Sequence, residues 1–581
     1  MARLRKIEIR NFRAIKEFAW LPSPGINCLV GPGDSGKSSV LDAIDACLGA
    51  RRNMQFTDAD FHNLDVSAPI HISITIGELD HVLKSMDSYG LYVRGFFAAT
   101  GVIEDEPEEN AETVLTLNLT VGSDLEPSWM LFSDRAAAQD QARNLTWDDR
   151  LRIAPTRIGA SSDYHLGWRR GSGLNRLSEE RPDASAALVK AAREARTAFG
   201  NEAAKELGVA LEAVAKTAKA LGVPIGEHAK AMLDAHSVSF ADGTISLHDD
   251  GGVPLRGLGV GSARLLVAGL QREAAEESTV ILIDELEHGL EPHRIIRLLG
   301  SLGAKENDPP LQAFVTTHSP VALRELSGAQ LFVMRAAGES HKVLNVGVDD
   351  GTQSTLRACP DAFLAPSILV CEGASEVGLV RGLDQHRTAN GQAALGALGV
   401  ALVDSGGVDR IFKRANAFLT LGYRVAVVRD DDKPPTEAVE RAFKDAGGKV
   451  MCWRSGHALE DELFLSLSQD AVGKLVEYAV ELRGDELVDQ HIKSASEGTK
   501  DLSAIRNECR AGISNESRAM LGKASKSHKI GWFKSVTWME AVARNIVASD
   551  LQHADAGFSA LIAEVFHWSD GDQGSRRCSC Y

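Results

Sequence analysis

The stretch INCLVGPGDSGKSSVLDAIDACLG, residues 26–49, constrains this chain more than any other. An apolar run from Ile26 to Val30 gives way to a glycine-punctuated turn and then to helical spacing, so the segment reads as strand, loop and helix. Gly31 to Ser38 fit the spacing GxxxxGK[ST]. Such a loop curls backbone N–H groups around phosphate at a helix N-terminus. Gly31, Gly33 and Gly36 let it curl, and Asp34, Ser35 and Ser39 complete it. Lys37 reaches the outer phosphates, and Ser38 offers a hydroxyl to Mg²⁺.

A second signal lies far downstream in STVILIDELEHGLEP, where an apolar strand runs into Asp284 and Glu285. A strand-end carboxylate there orders Mg²⁺ and the next one polarises an attacking water, so the pair points to hydrolysis of a nucleotide and not to binding alone. A further apolar strand, QAFVTTHSP, ends at His318, positioned to sense a γ-phosphate. Upstream, LRGLGVGSARLLVAG sets Gly257, Gly259 and Gly261 ahead of a helical pattern, whose bare backbone donors suit an anion brought by a facing subunit.

At 581 residues the chain exceeds one core and divides into roughly two to four domains. Hydrophobic content of 44% with 25% charged residues is that of folded globular protein, not of a disordered chain. No apolar run is long enough to span a bilayer and the start carries no signal-peptide core, so the expected location is cytoplasmic, with no membrane partner. Eight cysteines, at 28, 47, 359, 371, 452, 509, 578 and 580, fall mostly within apolar runs and read as reduced thiols. A net charge of −17 excludes a surface that is basic everywhere, so any nucleic-acid role must rest on a local site.

These pieces, in this order, resemble an ABC-type ATPase head of the RecF and SMC kind. IEIRNFRAI is similar to its first strand, GPGDSGKS to its Walker A, GLGVGSAR to a degenerate signature, VILIDE to its Walker B and THS to its switch histidine. The resemblance implies that Asn11 and Arg13 help hold ATP, that Glu285 is the hydrolytic base, and that ATP with one Mg²⁺ is sandwiched between two heads of a homodimer or higher homo-oligomer. The usual LSGGQ wording is absent, and no glutamine stands out for the Q-loop: Gln55 is one candidate, while the strand HISITIGEL carries none. Residues 176–236 are rich in Ala, Glu, Lys and Leu at three- and four-residue spacing, which predicts a helical insertion. It serves either as a dimerisation hairpin or as an ordinary surface hairpin.

Beyond residue 360 the pattern changes to alternating strands and helices. ILVCEGASE ends a buried strand at Glu372 and Glu376; GVALVDSGG follows; YRVAVVRDDDKPP ends at Asp430, Asp431 and Asp432; KVMCWRSG is a fourth strand. The alternation predicts a parallel sheet with carboxylates at its C-terminal edge, where Glu372, Glu376, Asp430 and Asp432 could surround hard cations. Glutamate-glycine after the first strand and DxD after the third resemble a Toprim domain. An ABC head followed by a Toprim domain resembles the OLD (overcoming lysogenisation defect) family of ATP-dependent endonucleases, including the Gabija nuclease.

That resemblance implies an α/β fold: an ATPase head in two parts, 1–175 and 237–350, interrupted by the helical insertion 176–236, then a Toprim nuclease domain with a helical extension over 360–581. It implies two Mg²⁺ or Mn²⁺ ions on Glu372, Glu376, Asp430 and Asp432, with Glu460 or Glu462 of HALEDELF completing the shell, and Glu376 catalytic. A late lysine would neutralise charge at the scissile phosphate. Among Lys526, Lys529 and Lys534 the GWFK setting favours Lys534, the other reading being a basic cluster that only contacts backbone phosphates. The expected activity is ATP-gated cutting of DNA in phage defence or DNA processing, with a separately encoded UvrD-like helicase as a possible partner. The alternative is a RecF-like or SMC-like DNA-binding repair ATPase with a non-catalytic Toprim platform.

Overall fold

The computed structural model describes residues 2–50, 54–159, 166, 174, 205–233, 245–274, 279–526 and 531–571. The chain forms two compact units, Met1–Val348 and Asp349–Tyr581. Among the described residues no helix is long and apolar enough to cross a membrane.

The first unit is built on one mixed sheet. Its antiparallel part contains β1 (Arg3–Phe12), β2 (Ile15–Trp20), β4 (Ile70–Gly77), β5 (Val93–Phe97), β6 (Val102–Glu104), β7 (Glu112–Val121) and β8 (Pro127–Phe132). Alternation decides its faces: Ile7 and Ile9 of β1 are buried while Glu8 and Arg10 turn outward. The other part holds β3 (Ile26–Val30), β9 (Thr156–Ile158), β12 (Val280–Ile283), β13 (Gln312–Thr316) and β14 (Leu331–Ala337), which pair in parallel in the order β14-β3-β13-β12-β9. β15 (Ser340–Asn345) joins the two parts through β2. Strands β3, β12 and β13 are buried along their whole length, as parallel strands covered on both faces must be. The helix Lys37–Leu48 buries Val40, Leu41 and Ile44 among the isoleucines and leucines of β1, β4 and β7.

Of the expected helical insertion, residues 176–204 and 234–236 lie outside the described residues. The described part holds the helix Gly208–Leu221 and the strand β10 (Lys230–Leu233), paired with β11 (Ile245–His248). That helix lays Val214, Thr217 and Leu221 on the helix Val260–Glu273, where a side chain at Gly269 would strike Thr217 at 2.0 Å.

The second unit holds a four-stranded parallel sheet of β16 (Ser367–Cys371), β17 (Val400–Asp404), β18 (Arg424–Arg429) and β19 (Lys449–Cys452), ordered β17-β16-β18-β19. The chain leaves β16 for β17 on one side and returns across it to β18. Strand order therefore reverses between β16 and β18, and the C-terminal crevice at that point is where open α/β sheets bind ligands. The helix Asp350–Ala358, in the gap between the expected segments, belongs to this unit and packs on the helix Val408–Leu419.

The helix Ala374–Ala389 crosses the helix Val536–Val542 closely enough to need two glycines. A Cβ on Gly378 would stand 2.6 Å from the Val536 carbonyl oxygen, and one on Gly382 would stand 2.3 Å from that of Glu540. The π turn Ala543–Val547 continues the partner helix under Gly382. Gly382→Val is expected to destabilise this unit by about 1–3 kcal/mol through overpacking. An unchanged midpoint in urea unfolding would refute the close crossing.

Candidate functional site

In the first unit three strand ends meet. The loop after β3 leads into the helix Lys37–Leu48 with Gly36 in the left-handed region at φ 84°. A side chain at Gly31 would strike the Met334 carbonyl at 2.5 Å, which explains that glycine by close approach. Gly33 and Asp34 are exposed at the tip, and Ser39 is half-buried. Lys37 is buried and donates to the carbonyls of Gly31 (3.1 Å) and Pro32 (2.7 Å) and to Ser35 Oγ (3.3 Å). Burial pushes its ammonium below the usual lysine range, against the pull of Asp284 and Asp34.

Ser38 Oγ donates to Asp284 Oδ1 at 3.1 Å, and Thr316 Oγ1 donates to the same oxygen at 2.5 Å. The loop serine and the strand-end aspartate are 246 residues apart in sequence and touch here. Glu285 follows in the left-handed region at φ 48°, its N–H donating to Thr316 Oγ1 at 2.8 Å. Its carboxylate makes no hydrogen bond among the described residues, so it is free to act on a water. His318 is exposed after β13, and its N–H donates to Glu287 Oε1 at 2.8 Å.

Sequence reasoning missed two arginines here. Arg264 is 1% exposed and donates to the carbonyls of Asp284 (3.0 Å), Glu285 (3.1 Å) and His288 (2.7 Å), so it holds the backbone that carries both acids. Arg157, in the middle of β9, binds Asp42 and Asp45 of the phosphate-loop helix. Arg264→Met is expected to cut ATP turnover more than about tenfold, because three carbonyls lose charge-assisted partners worth roughly 1.5–3 kcal/mol each. Phosphate release at saturating ATP measures it.

Asn11 and Arg13 lie at the β1–β2 turn, and Arg13 reaches the phosphate-loop helix. The Asn11 amide donates to the carbonyls of Asp65 and Ala68, while Arg13 pairs with Asp42 and Asp60. Both brace the β1–β2 turn, where each has a positive φ. Gly261 is also explained within its own chain, since a Cβ there would strike the Gly289 carbonyl at 2.1 Å. Gly257 and Gly259 face open space. For the Q-loop, Gln55 is exposed and β9, which flanks β12, carries no glutamine.

In the second unit, acids gather at the reversal point. Glu372 leaves the end of β16 and accepts the Asp430 N–H at 3.0 Å. Glu376, 3% exposed, accepts the Gly373 N–H at 2.8 Å from the first turn of its helix. Asp430 accepts the Leu459 N–H at 2.9 Å, which ties the end of β18 to the helix Leu459–Ser466 and so to Glu460, also 3% exposed. Burial pushes Glu376 well above the usual carboxylate range, and Asp430, Glu460 and Glu372 push it further. Asp430 is pushed up to about 8 by burial, then by Glu460 and Glu372. Burial also raises Glu460, with Lys534 and Lys526 pulling the other way. Asp432 is exposed beside them.

Neighbouring acids do other work. Arg429 and the Gly456 N–H hold Asp431 below the usual range despite its burial. Arg429 also grips Glu440, so Arg429 and Asp431 fix the strand end and leave Asp430 and Asp432 to face the crevice. Glu462 is bound by Arg454 and His457, whereas Glu460 lies among the acids of the crevice. Lys526 pairs with Asp461, Lys534 is exposed and makes no ion pair among the described residues, and Lys529 lies outside them.

As the side chains stand, no three His, Cys, Asp or Glu among the described residues converge closely enough to ligate a metal ion. The donor set nonetheless fits a hard divalent cation. It offers carboxylate oxygens only, two of its members are buried, and their mutual repulsion has no internal cation to offset it at Glu376.

A family model described as AAA domain, putative AbiEii toxin, Type IV TA system matches residues 26–324. The DNA replication and repair protein RecF of Prosthecochloris aestuarii is 38% identical over 66 residues, 11% of this chain and 18% of that protein. RecF of Chlorobium phaeobacteroides is 38% identical over 63 residues, 11% of this chain and 17% of that protein. The chain thus matches under a fifth of the length of these curated relatives. Among solved structures, the SMC head domain from Thermotoga maritima aligns at a TM-score of 0.30 and 16% identity, covering 60% of this chain and 100% of that one. The SMC head with an extended coiled coil bound to the C-terminal domain of ScpA, from Pyrococcus furiosus, aligns at 0.36 and 14%, covering 59% and 96%.

Proposed function

This chain belongs to the AAA family described as AAA domain, putative AbiEii toxin, Type IV TA system, and on that premise we propose that it is an ATP-gated, metal-dependent endonuclease acting on DNA. Its AAA domain binds ATP. Lys37 and the loop N–H groups take the phosphates, Ser38 and Asp284 stand together for the ATP-bound Mg²⁺, and Glu285 orients water for hydrolysis.

One observation carries the nuclease reading. Four acids, Glu372 at the end of β16, Glu376 in the first turn of the helix Ala374–Ala389, Asp430 just past β18 and Glu460 on the helix Leu459–Ser466, are each raised by burial, and Asp430, Glu460 and Glu372 raise Glu376 further. A fold does not bury like charges at a ligand-binding crevice without return, and cation binding supplies it. Glu372, Glu376, Asp430, Asp432 and Glu460 would hold Mg²⁺ or Mn²⁺. Such ions, when bound, activate water and offset charge at the scissile phosphorus. Lys534, exposed and within electrostatic reach of Glu460, would neutralise the charge developing on the phosphate oxygens. The cut strand would leave a 5′ phosphate. Glu372-Gly373 with Asp430 and Asp432 is the Toprim pattern, and its place after an AAA domain is that of OLD-type nucleases, consistent with phage defence beside a helicase partner. Two copies of the chain would share ATP between them.

A second reading has its own support: the curated relatives are DNA replication and repair proteins, which favours a DNA-binding repair ATPase with the second unit as a platform. Plasmid cleavage by purified protein in Mg²⁺ or Mn²⁺, with and without ATP, separates the two. Nicking or linearisation that requires metal is expected. Intact ATP turnover without cutting would transfer the conclusion to the second reading.

A further inference from the structure

We infer that Trp532 and His491 form a rigid mount that aims Lys534, and that His491 is a positioning residue for cleavage although it makes no contact with the acidic cluster. The inference rests on the role given to Lys534 above. Residues 531–535, GWFKS, are anchored at every position except the lysine. Trp532 and Phe533 are both fully buried, while Lys534 between Phe533 and Ser535 is exposed. The Trp532 N–H donates to the Ser525 carbonyl at 3.0 Å and its indole Nε1 donates to His491 Nδ1 at 3.1 Å. Phe533 stacks on Tyr478, with ring centroids 6.3 Å apart and planes 11° from parallel. The Gly531 carbonyl accepts the Arg483 guanidinium, which also lies over the Trp538 ring. Ser535 Oγ accepts the Trp538 N–H at 3.2 Å and starts the next helix.

Two contacts turn this anchoring toward the site. The Trp532 ring meets Phe464 edge-on at 5.9 Å, and Phe464 lies on the helix that carries Glu460. The lysine's mount and the glutamate's helix therefore share one packed joint. The second contact concerns the glycine: a Cβ on Gly531 would stand 2.8 Å from Cγ and Cδ of Lys534. The lysine stem folds back over Gly531 along its own loop, and a side chain there would turn it away. A free lysine is a poor catalyst because its flexible stem must be ordered at each turnover, and fixing it beforehand removes that cost from the reaction.

His491 can accept the indole proton only as a neutral ring with its own proton on Nε2. Burial lowers its affinity for a second proton, and Arg483 lowers it further. Removing this acceptor leaves the indole N–H buried without a partner, and the loop must shift to recover one.

The test is a cycle of plasmid-cutting rates on full-length protein. Lys534→Met is expected to lower kcat about 10²-fold. His491→Leu should lower kcat about tenfold with KM for DNA changed less than about twofold, since orientation and not binding is lost. His491→Gln, whose side-chain oxygen accepts the indole proton, should restore the rate, and Trp532→Phe, which removes the donor together with part of the ring, should cut at least as slowly as His491→Leu. The double variant His491→Leu with Lys534→Met should cut no more slowly than Lys534→Met alone. Additive losses, or a wild-type rate in both His491→Leu and Trp532→Phe while Lys534→Met is slow, would overturn the mount. A wild-type rate in Lys534→Met, or no cutting by the wild type, would instead remove the role of Lys534 and the mount with it.

Discussion

Glu376→Gln is expected to reduce metal-dependent DNA cutting by at least about 10³-fold while leaving ATP turnover at the wild-type rate. Glutamine keeps the shape of the buried side chain and can still accept the Gly373 N–H, so the local fold survives the change. What it removes is a carboxyl whose ionisation burial opposes, with Asp430, Glu460 and Glu372 opposing it further. The same substitution should therefore move stability the other way. In EDTA the variant should melt roughly 2–4 °C higher than wild type, since relief of buried like-charge repulsion of about 1 kcal/mol shifts a unit of this size by that much. Mg²⁺ should raise the wild-type melting temperature and leave that of the variant nearly unmoved. Loss of cutting together with a higher metal-free melting temperature separates a functional acid from a structural one, which would lose both. Undiminished cutting would sink the assignment.

The parts of this reading that were local were legible in the chain. Strand, glycine loop, lysine and helix at 26–49 lie next to one another, so their pattern names them. The DDD run lies just past β18, so strand alternation does not sort it; the pairing of Asp431 with Arg429 does. Arg429, a charge closing the apolar run VAVV, announces that something must pair with it, and Asp431 and Glu440 do. Arg264 carried the same signal, as a lone charge inside SARLLVAGL.

What could not be read depended on how distant segments meet. Glu460 and Glu462 point to different faces of one helix turn, and only the bond from the Leu459 N–H to Asp430 brings Glu460 toward the other acids. The order β17-β16-β18-β19 creates the crevice, yet nothing local to any one strand encodes it. The partners of Asn11 and Arg13, the carbonyls of Asp65 and Ala68 and the carboxylates of Asp42 and Asp60, are likewise set by the fold and announced by no local pattern.

Glu285→Gln is expected to slow ATP hydrolysis by about 10²–10³-fold with ATP affinity within about twofold of wild type. The phosphate loop, Lys37 and the Ser38–Asp284 contact are untouched by this change, so binding persists. Thr316 and Arg264 hold the backbone of residue 285 from both sides, so the amide sits where the carboxylate sat and lacks only the base. A fluorescent ATP analogue reads affinity and phosphate release reads turnover. Equal turnover in variant and wild type would show that another group activates the water. The variant also divides two ways in which ATP could gate cutting. If occupancy of the AAA domain sets the state of the nuclease, ATP will change the cleavage rate of Glu285→Gln as strongly as that of wild type, and for longer, because the bound nucleotide is not consumed. If turnover sets it, the response to ATP will disappear in the variant while cutting in metal alone stays as it was. The coupling must have one of these two forms, since a ligand shifts an equilibrium only by its differential affinity for two states and a cycle shifts it only by being driven.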